Sequence, residues 1–249
     1  MRLMLPNKIV WENEASLIKA FQLADLTAPI ISVVGAGGKT STIERLAQEY
    51  EMLGKKVMVT TTTKMFRPLH WYWYGGESMK AVDKHLENNT VLWIGLPFGE
   101  DKIMSPKISF LKQLMQKNMP LLIEADGAKR LPFKVPNDIE PVIIEGTQYV
   151  VAILGMDALG RQLKEVCFRY DLAAIFLHKE EDELITIEDY IEVITSNRAL
   201  RKGVTEEMKY LVILNKVEGQ EKEEQAKLIR NLLKQKGIEQ VFLTSYGAI

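Results

Sequence analysis

The sequence predicts an α/β protein of three layers, a mostly parallel sheet with helices on both faces. Two observations point there. Short runs that are apolar throughout, and therefore buried on both sides, alternate with amphipathic segments along the whole chain. Polar and glycine-bearing motifs follow directly after those runs, at the carboxyl ends of strands where ligands collect in such sheets.

In order, PIISVVG (29–35) is short, continuous and rich in β-branched residues, so it reads as a strand. TSTIERLAQEYEMLGKK (40–56) sets Ile43, Leu46, Ala47, Tyr50 and Leu53 on one helical face, and Gly54 is a natural stop. KVMVTTTT (56–63), TVLWIGLP (90–97), MPLLIEADG (119–127), YVVAILG (149–155), YLVILNK (210–216) and QVFLTS (240–245) repeat the strand signal. Helical periodicity covers 77–88, 106–118, 167–177, 186–201 and 219–237. The stretches 64–76 and 126–148 lack either period and are expected to be long loops, which in compact domains are often functional. With no repeat or low-complexity linker, the expectation is one α/β domain over 1–249 with a short N-terminal extension at about 1–28.

Composition narrows the function. The chain has 249 residues, is 47% hydrophobic and carries a formal net charge of -1, which supports a sizeable core and argues against nucleic acid held by bulk charge. A single cysteine, Cys167, excludes an intrachain disulfide framework, and with three scattered histidines a His/Cys metal centre is not expected. Cys167 is expected to be a small buried hydrophobe; His70, His85 and His178 carry no motif. The first residues meet charge and proline too early for a secretory signal, and no apolar run approaches the roughly 20 residues of a membrane helix. A soluble cytoplasmic protein, bound neither to membrane nor to nucleic acid, is the expectation.

The run VVGAGGKTST (33–42) is the central signal. A dinucleotide fingerprint, G-x-G-x-x-G/A, fits at Gly35 and Gly37 but meets Thr40 at its third position, and no acid follows at the ribose distance. A phosphate loop, G-x-x-x-x-G-K-[ST], fits at Gly38-Lys39-Thr40, with Val33 where its first glycine would stand. Between a strand and a helix, with two further glycines, the phosphate reading is the better one. Gly35, Ala36, Gly37, Gly38, Lys39, Thr40 and Ser41 then bind the phosphates of ATP or GTP. Lys39 meets the β- and γ-phosphates, and the Thr40 hydroxyl ligates Mg²⁺.

Later motifs supply partners. Glu124 and Asp126 end a strand at a spacing of two, where one carboxylate can hold Mg²⁺ beside a phosphate loop. Asp126 is expected at the metal, with Glu124 orienting the attacking group, although two solvated acids would look the same. Thr62, Thr63 and Lys64 close the second strand and can meet an anion, though threonine is first a strand former. Asn215, Lys216 and Glu218 resemble the base-reading Asn-Lys-x-Asp of guanine-specific NTPases, with glutamate in place of aspartate. HWYWYGG (70–76) is either a binding surface or a satellite core under its loop, the latter preferred.

Taken together, VVGAGGKTST, TTTTKM, IEADGAKRLPFKVP, VVAILGMDALGRQL with FR, and ILNKVE resemble, in this order, the motifs of the YqeC family. The resemblance spans about 30 to 220. It implies a P-loop NTPase-like fold and an accessory role in maturing or inserting a selenium-containing molybdenum cofactor, with a molybdenum hydroxylase or other cofactor-assembly proteins as partners. It marks Gly35 to Thr40 as the phosphate site, Glu124, Asp126, Gly127 and Lys129 as the acidic motif, and Gly155, Asp157 and Gly160 with nearby Arg169 as a further loop. The short glycine loop is also similar to that of Mur-type amide ligases. Three functions are therefore expected: an Mg²⁺-dependent NTPase; an ATP-dependent ligase or kinase gripping an anionic precursor with Lys64, Lys129, Lys134 and Arg169; or a nucleotide-gated adaptor using the 64–80 loop.

Overall fold

A computed structural model describes residues 1–246. β1 (Arg2–Met4) and β2 (Glu12–Asn13) precede α1 (Leu17–Ala20), which is capped by the Ser16 side chain. β3 (Ile30–Gly35) runs through the glycine loop straight into α2 (Lys39–Met52), and β4 (Val57–Thr61) follows. β5 (Lys64–Phe66), β6 (Trp73–Tyr74), α3 (Met79–Asn88), β7 (Val91–Ile94), β8 (Leu96–Phe98), β9 (Lys102–Met104) and α4 (Ile108–Met115) come next. β10 (Leu121–Glu124) brings the acidic motif; β11 (Phe133–Lys134) and β12 (Tyr149–Gly155) follow it. After α5 (Leu163–Val166), β13 (Cys167–Phe168), α6 (Tyr170–Leu177) and α7 (Ile187–Thr195), the last elements are β14 (Lys209–Asn215), α8 (Gln220–Gln235) and β15 (Val241–Ser245).

Ten strands make one sheet in the order β2-β1-β15-β14-β12-β3-β10-β4-β7-β6. From β15 to β6 every pairing is parallel; only β1 and β2, at one edge, run antiparallel. The chain thus has the predicted three-layer α/β architecture. Residues 1–28, expected as an extension, contribute that edge: Leu3 pairs with Thr244.

Period-two alternation splits the core between the sheet faces. Ile31 and Val33 of β3, with Val151, Ile153 and Ile213, pack on Ile43, Leu46, Ala47 and Tyr50 of α2. Val34, with Ala152, Leu154, Val212 and Leu214, packs on α7 and α8 through Tyr190, Ile194, Ile229 and Leu233. Towards the β7 edge, Met58, Leu92 and Ile123 meet α3 and α4 through Leu86, Phe110 and Leu111. α7 is fixed at its start by a capping box between Thr186 and Asp189.

Three expectations are corrected. The helix read at 167–177 begins only at Tyr170: Cys167 and Phe168 pair with Phe133 and Lys134, and Arg169 takes a left-handed φ of 61° that breaks any continuous helix. The loop at 126–148 therefore contains β11. The loop at 64–76 contains β5, which pairs with β9, and β6, which pairs with β7. Each added strand is stabilised by a partner distant in sequence, which local periodicity does not report.

Candidate functional site

β3 lies between β12 and β10, so the glycine loop emerges beside the end of the acidic strand. The loop is held from below. The Gly35 amide donates to Asp126 Oδ2 at 2.9 Å, the Ala36 amide to the Ile153 carbonyl at 2.8 Å, and the Gly37 amide to the Leu131 carbonyl at 3.1 Å. Glycine is required by crowding as well as by φ. At Gly35 (φ 97°) a Cβ would lie 2.2 Å from the Ile153 oxygen, and at Gly37 (φ 78°) 2.5 Å from the Gly155 nitrogen.

Past Gly37 the amides change role. No side chain caps α2, and among the described residues the amides of 38–41 have no backbone acceptor; the first helical bond is Thr42 to Gly38. These are the orphan donors of a helix start, carrying the positive end of its dipole. Gly38, Lys39, Thr40 and Ser41 line a cleft of about 1310 Å³. Lys39 donates to the Gly35 carbonyl at 2.6 Å and lies 3.2 Å from Asp126 Oδ1, so its ammonium is held at the loop.

The two acids divide their work in a way their spacing does not reveal. Asp126, expected at the metal, is fully buried and committed to Gly35, Lys39 and Lys134, the last at 3.0 Å. Glu124 is the acid that lines the cleft, and its Oε2 accepts from the Thr40 hydroxyl at 3.0 Å. Burial pushes the Glu124 carboxyl above its ordinary range; the Lys39 ammonium and the Thr40 hydrogen bond pull it back. The period-two argument fails because β10 ends at Glu124, and Asp126 lies beyond it at a bend in the chain.

The other candidates sort by position. Gly37, Thr62, Thr63, Lys64, Lys129, Arg169 and Lys216 line the same cleft. Gly35, Ala36, Asp126, Asp157 and Asn215 stand behind it. Asn215, expected at a base, is buried and braces the loop: its Nδ2 donates to the Gly37 carbonyl at 2.8 Å, while Thr244 donates to its Oδ1 at 2.8 Å. Lys216 is paired with Asp157 at 2.7 Å. Thr62 donates to the Val142 carbonyl at 3.0 Å, and the Lys64 ammonium lies 3.8 Å over the Phe98 ring. Lys134, expected to grip a substrate, is fully buried between Asp126 and Glu140. In the aromatic stretch, Trp71 stacks on buried Trp93 and packs with Trp73 against the core, as a satellite core would.

Sequence reasoning missed Glu140 and Arg130. Glu140 is buried, pairs with Lys134 at 3.4 Å and also holds Arg169. Lys39, Asp126, Lys134, Glu140 and Arg169 thus form an unbroken row of alternating charges from the glycine loop to the far wall of the cleft. Eight basic and four acidic side chains line the cleft, which makes it strongly positive in a chain of net charge -1. Among the described residues no group of three or more His, Cys, Asp or Glu gathers to hold a metal, and no helix is long and apolar enough to cross a membrane. One hydroxyl and one carboxylate still suit Mg²⁺, which takes one or two protein oxygens beside phosphates and keeps waters.

A strand, a glycine loop and an uncapped helix on a central parallel strand define an α/β protein of P-loop NTPase-like architecture. The profile described as "YqeC protein" matches residues 31–171, and the chain belongs to the YqeC family. A relative, "Uncharacterized protein YqeC" of Escherichia coli (strain K12), is 28% identical over 198 residues, covering 75% of each chain.

Proposed function

We propose that this protein binds a magnesium nucleotide, ATP or GTP, in the cleft above the glycine loop and hydrolyses or transfers its terminal phosphate. The observation that carries this reading is the free amide set of 38–41, opening into a positive cleft with Lys39 held at the loop and the Thr40–Glu124 pair beside it. Phosphoryl transfer asks for positioning and charge neutralisation more than for covalent chemistry, and this chain supplies both. The amides cradle phosphate oxygens, and Lys39 exchanges its contact with Asp126 for a phosphate. Thr40 and Glu124 would hold Mg²⁺, which when bound neutralises charge on the β- and γ-oxygens. Asp126, once expected at the metal, keeps the loop and Lys39 in place from behind.

The biological setting comes from the family resemblance: maturation or insertion of a selenium-containing molybdenum cofactor in the cytoplasm, in contact with a molybdenum hydroxylase or its assembly proteins. No selenium- or molybdenum-specific feature of the cleft adds to that. Calorimetric titration with ATP, GTP and their non-hydrolysable analogues, with and without Mg²⁺, tests the nucleotide reading. Magnesium-enhanced binding that falls at least about tenfold in Lys39→Ala is expected, as for loss of a charge-assisted contact. Equal affinity in Lys39→Ala, or no binding by the parent protein, overturns it.

A further inference from the structure

The cleft is larger than the roughly 300–1,000 Å³ of an ordinary small-molecule pocket, at about 1310 Å³, and its two ends differ in chemistry. One end is the glycine loop with Thr40 and Glu124. The other is a basic wall carried on aromatic rings. The Arg130 guanidinium lies 4.2 Å over the Phe66 ring, and Arg169 lies 4.6 Å over Phe168, with Lys129 at 5.4 Å from the same ring. A cation stacked on a ring face is held in place while its N–H edge stays available.

The backbone at this wall is unusual. Lys129, Arg130 and Arg169 all take positive φ, at 46°, 64° and 61°. Each is a long-chained residue in a region that favours glycine or asparagine, and such strain persists where the surroundings enforce it, often at ligand-binding sites. Arg169 is further fixed by buried Glu140, itself paired with buried Lys134. Apolar surface adjoins the basic groups: Leu69 and Ile139 line the cleft while 91% and 77% exposed. With Phe66 and Phe168, which line the same cleft, they set apolar surface directly beside the cations.

We infer that this wall is a second subsite, which holds a phosphate-bearing small molecule with a planar or apolar body while the glycine loop holds the nucleotide. Arg130, Lys129 and Arg169 take the anion, and Phe66, Phe168, Leu69 and Ile139 take the body. The inference deepens the nucleotide reading by giving the cleft a phosphorylated acceptor or product, and it rests on that reading only for the site being the second one.

Phenyl phosphate carries both characters and serves as the probe. Protein saturated with Mg²⁺ and a non-hydrolysable nucleotide analogue is titrated with it by calorimetry, and inorganic phosphate is run in parallel. One site per chain is expected to bind phenyl phosphate more tightly than inorganic phosphate. Arg130→Ala, which leaves every buried ion pair intact, weakens it about tenfold, and Arg169→Gln, which removes the guanidinium charge, does likewise. The same titration of the parent protein and of Arg130→Ala without nucleotide is expected to show the same difference of about tenfold. That arm reports on the subsite even if nucleotide never binds, so the two readings fail separately. No phenyl phosphate binding in either arm, or binding indifferent to both arginine substitutions, overturns the inference.

Discussion

Glu124 and Asp126 are separated by a single residue and are chemically alike, yet their surroundings give them different duties. Asp126 is fully buried among Lys39, Lys134 and the Gly35 amide. Asp126→Asn keeps the shape but leaves buried Lys134 with Glu140 as its remaining acid, so a loss of about 3–5 kcal/mol in unfolding free energy is expected by denaturant titration. Glu124→Gln removes a carboxylate that burial already disfavours, and its melting temperature is expected to change little. The loss should show instead in the magnesium dependence of nucleotide binding. Because the Glu124 carboxyl is raised, protonation competes with Mg²⁺ as the pH falls. Magnesium-assisted affinity should therefore weaken as the pH falls, starting above the ordinary carboxylate range, and should depend less on pH in Glu124→Gln than in the parent protein. Cys167 shows the opposite of activation: burial pushes its thiol up to about 12, so at pH 8 it should resist a thiol reagent until the protein is denatured.

At the scale of elements, the strand–loop–helix unit from Ile30 to Met52 is the part of the protein most readable in advance. Its signals are local: β-branched residues, three glycines, a lysine–threonine pair and a clean helical stripe. Gly37→Ala tests how tightly the unit is built. A Cβ there meets the backbone of Gly155, which cannot rotate away, so a destabilisation above about 2 kcal/mol and loss of nucleotide affinity are expected together. Elements decided by distant partners were not legible. β11 and β13 are two residues each and exist because they pair with one another, which placed a false helix at 167–169 and hid a short strand at 133–134 within the loop 126–148. The same pairing hides the site's far wall. Lys129 and Arg169 were marked through family resemblance, while Arg130, though inside a quoted motif, was given no role and Glu140 belongs to no motif; both acquire meaning only once Phe66 and Lys134 are beside them. Asn215 was found by its motif but misread, because a sequence does not distinguish an amide aimed at a ligand from one bracing the loop that holds it.

For the whole molecule, parallel order carries every marked motif to one end of the sheet, and a chain of nearly zero net charge gathers its positive excess in the cleft found there. The fold class followed from alternation and from motifs placed after the apolar runs, while the cleft depended on which strands became neighbours. Magnesium and nucleotide are expected to act on a scaffold already formed, since the loop is fixed by hydrogen bonds and ion pairs that need no ligand. What they change is the set of unpaired donors at the start of α2. Amide hydrogen exchange measured with and without Mg²⁺ and a non-hydrolysable nucleotide analogue reads those donors individually. Slowed exchange at 38–41, with 35–37 already slow in its absence, is the predicted result. Exchange at 38–41 that nucleotide leaves untouched, with protection gained elsewhere on the protein or nowhere, would contradict the account.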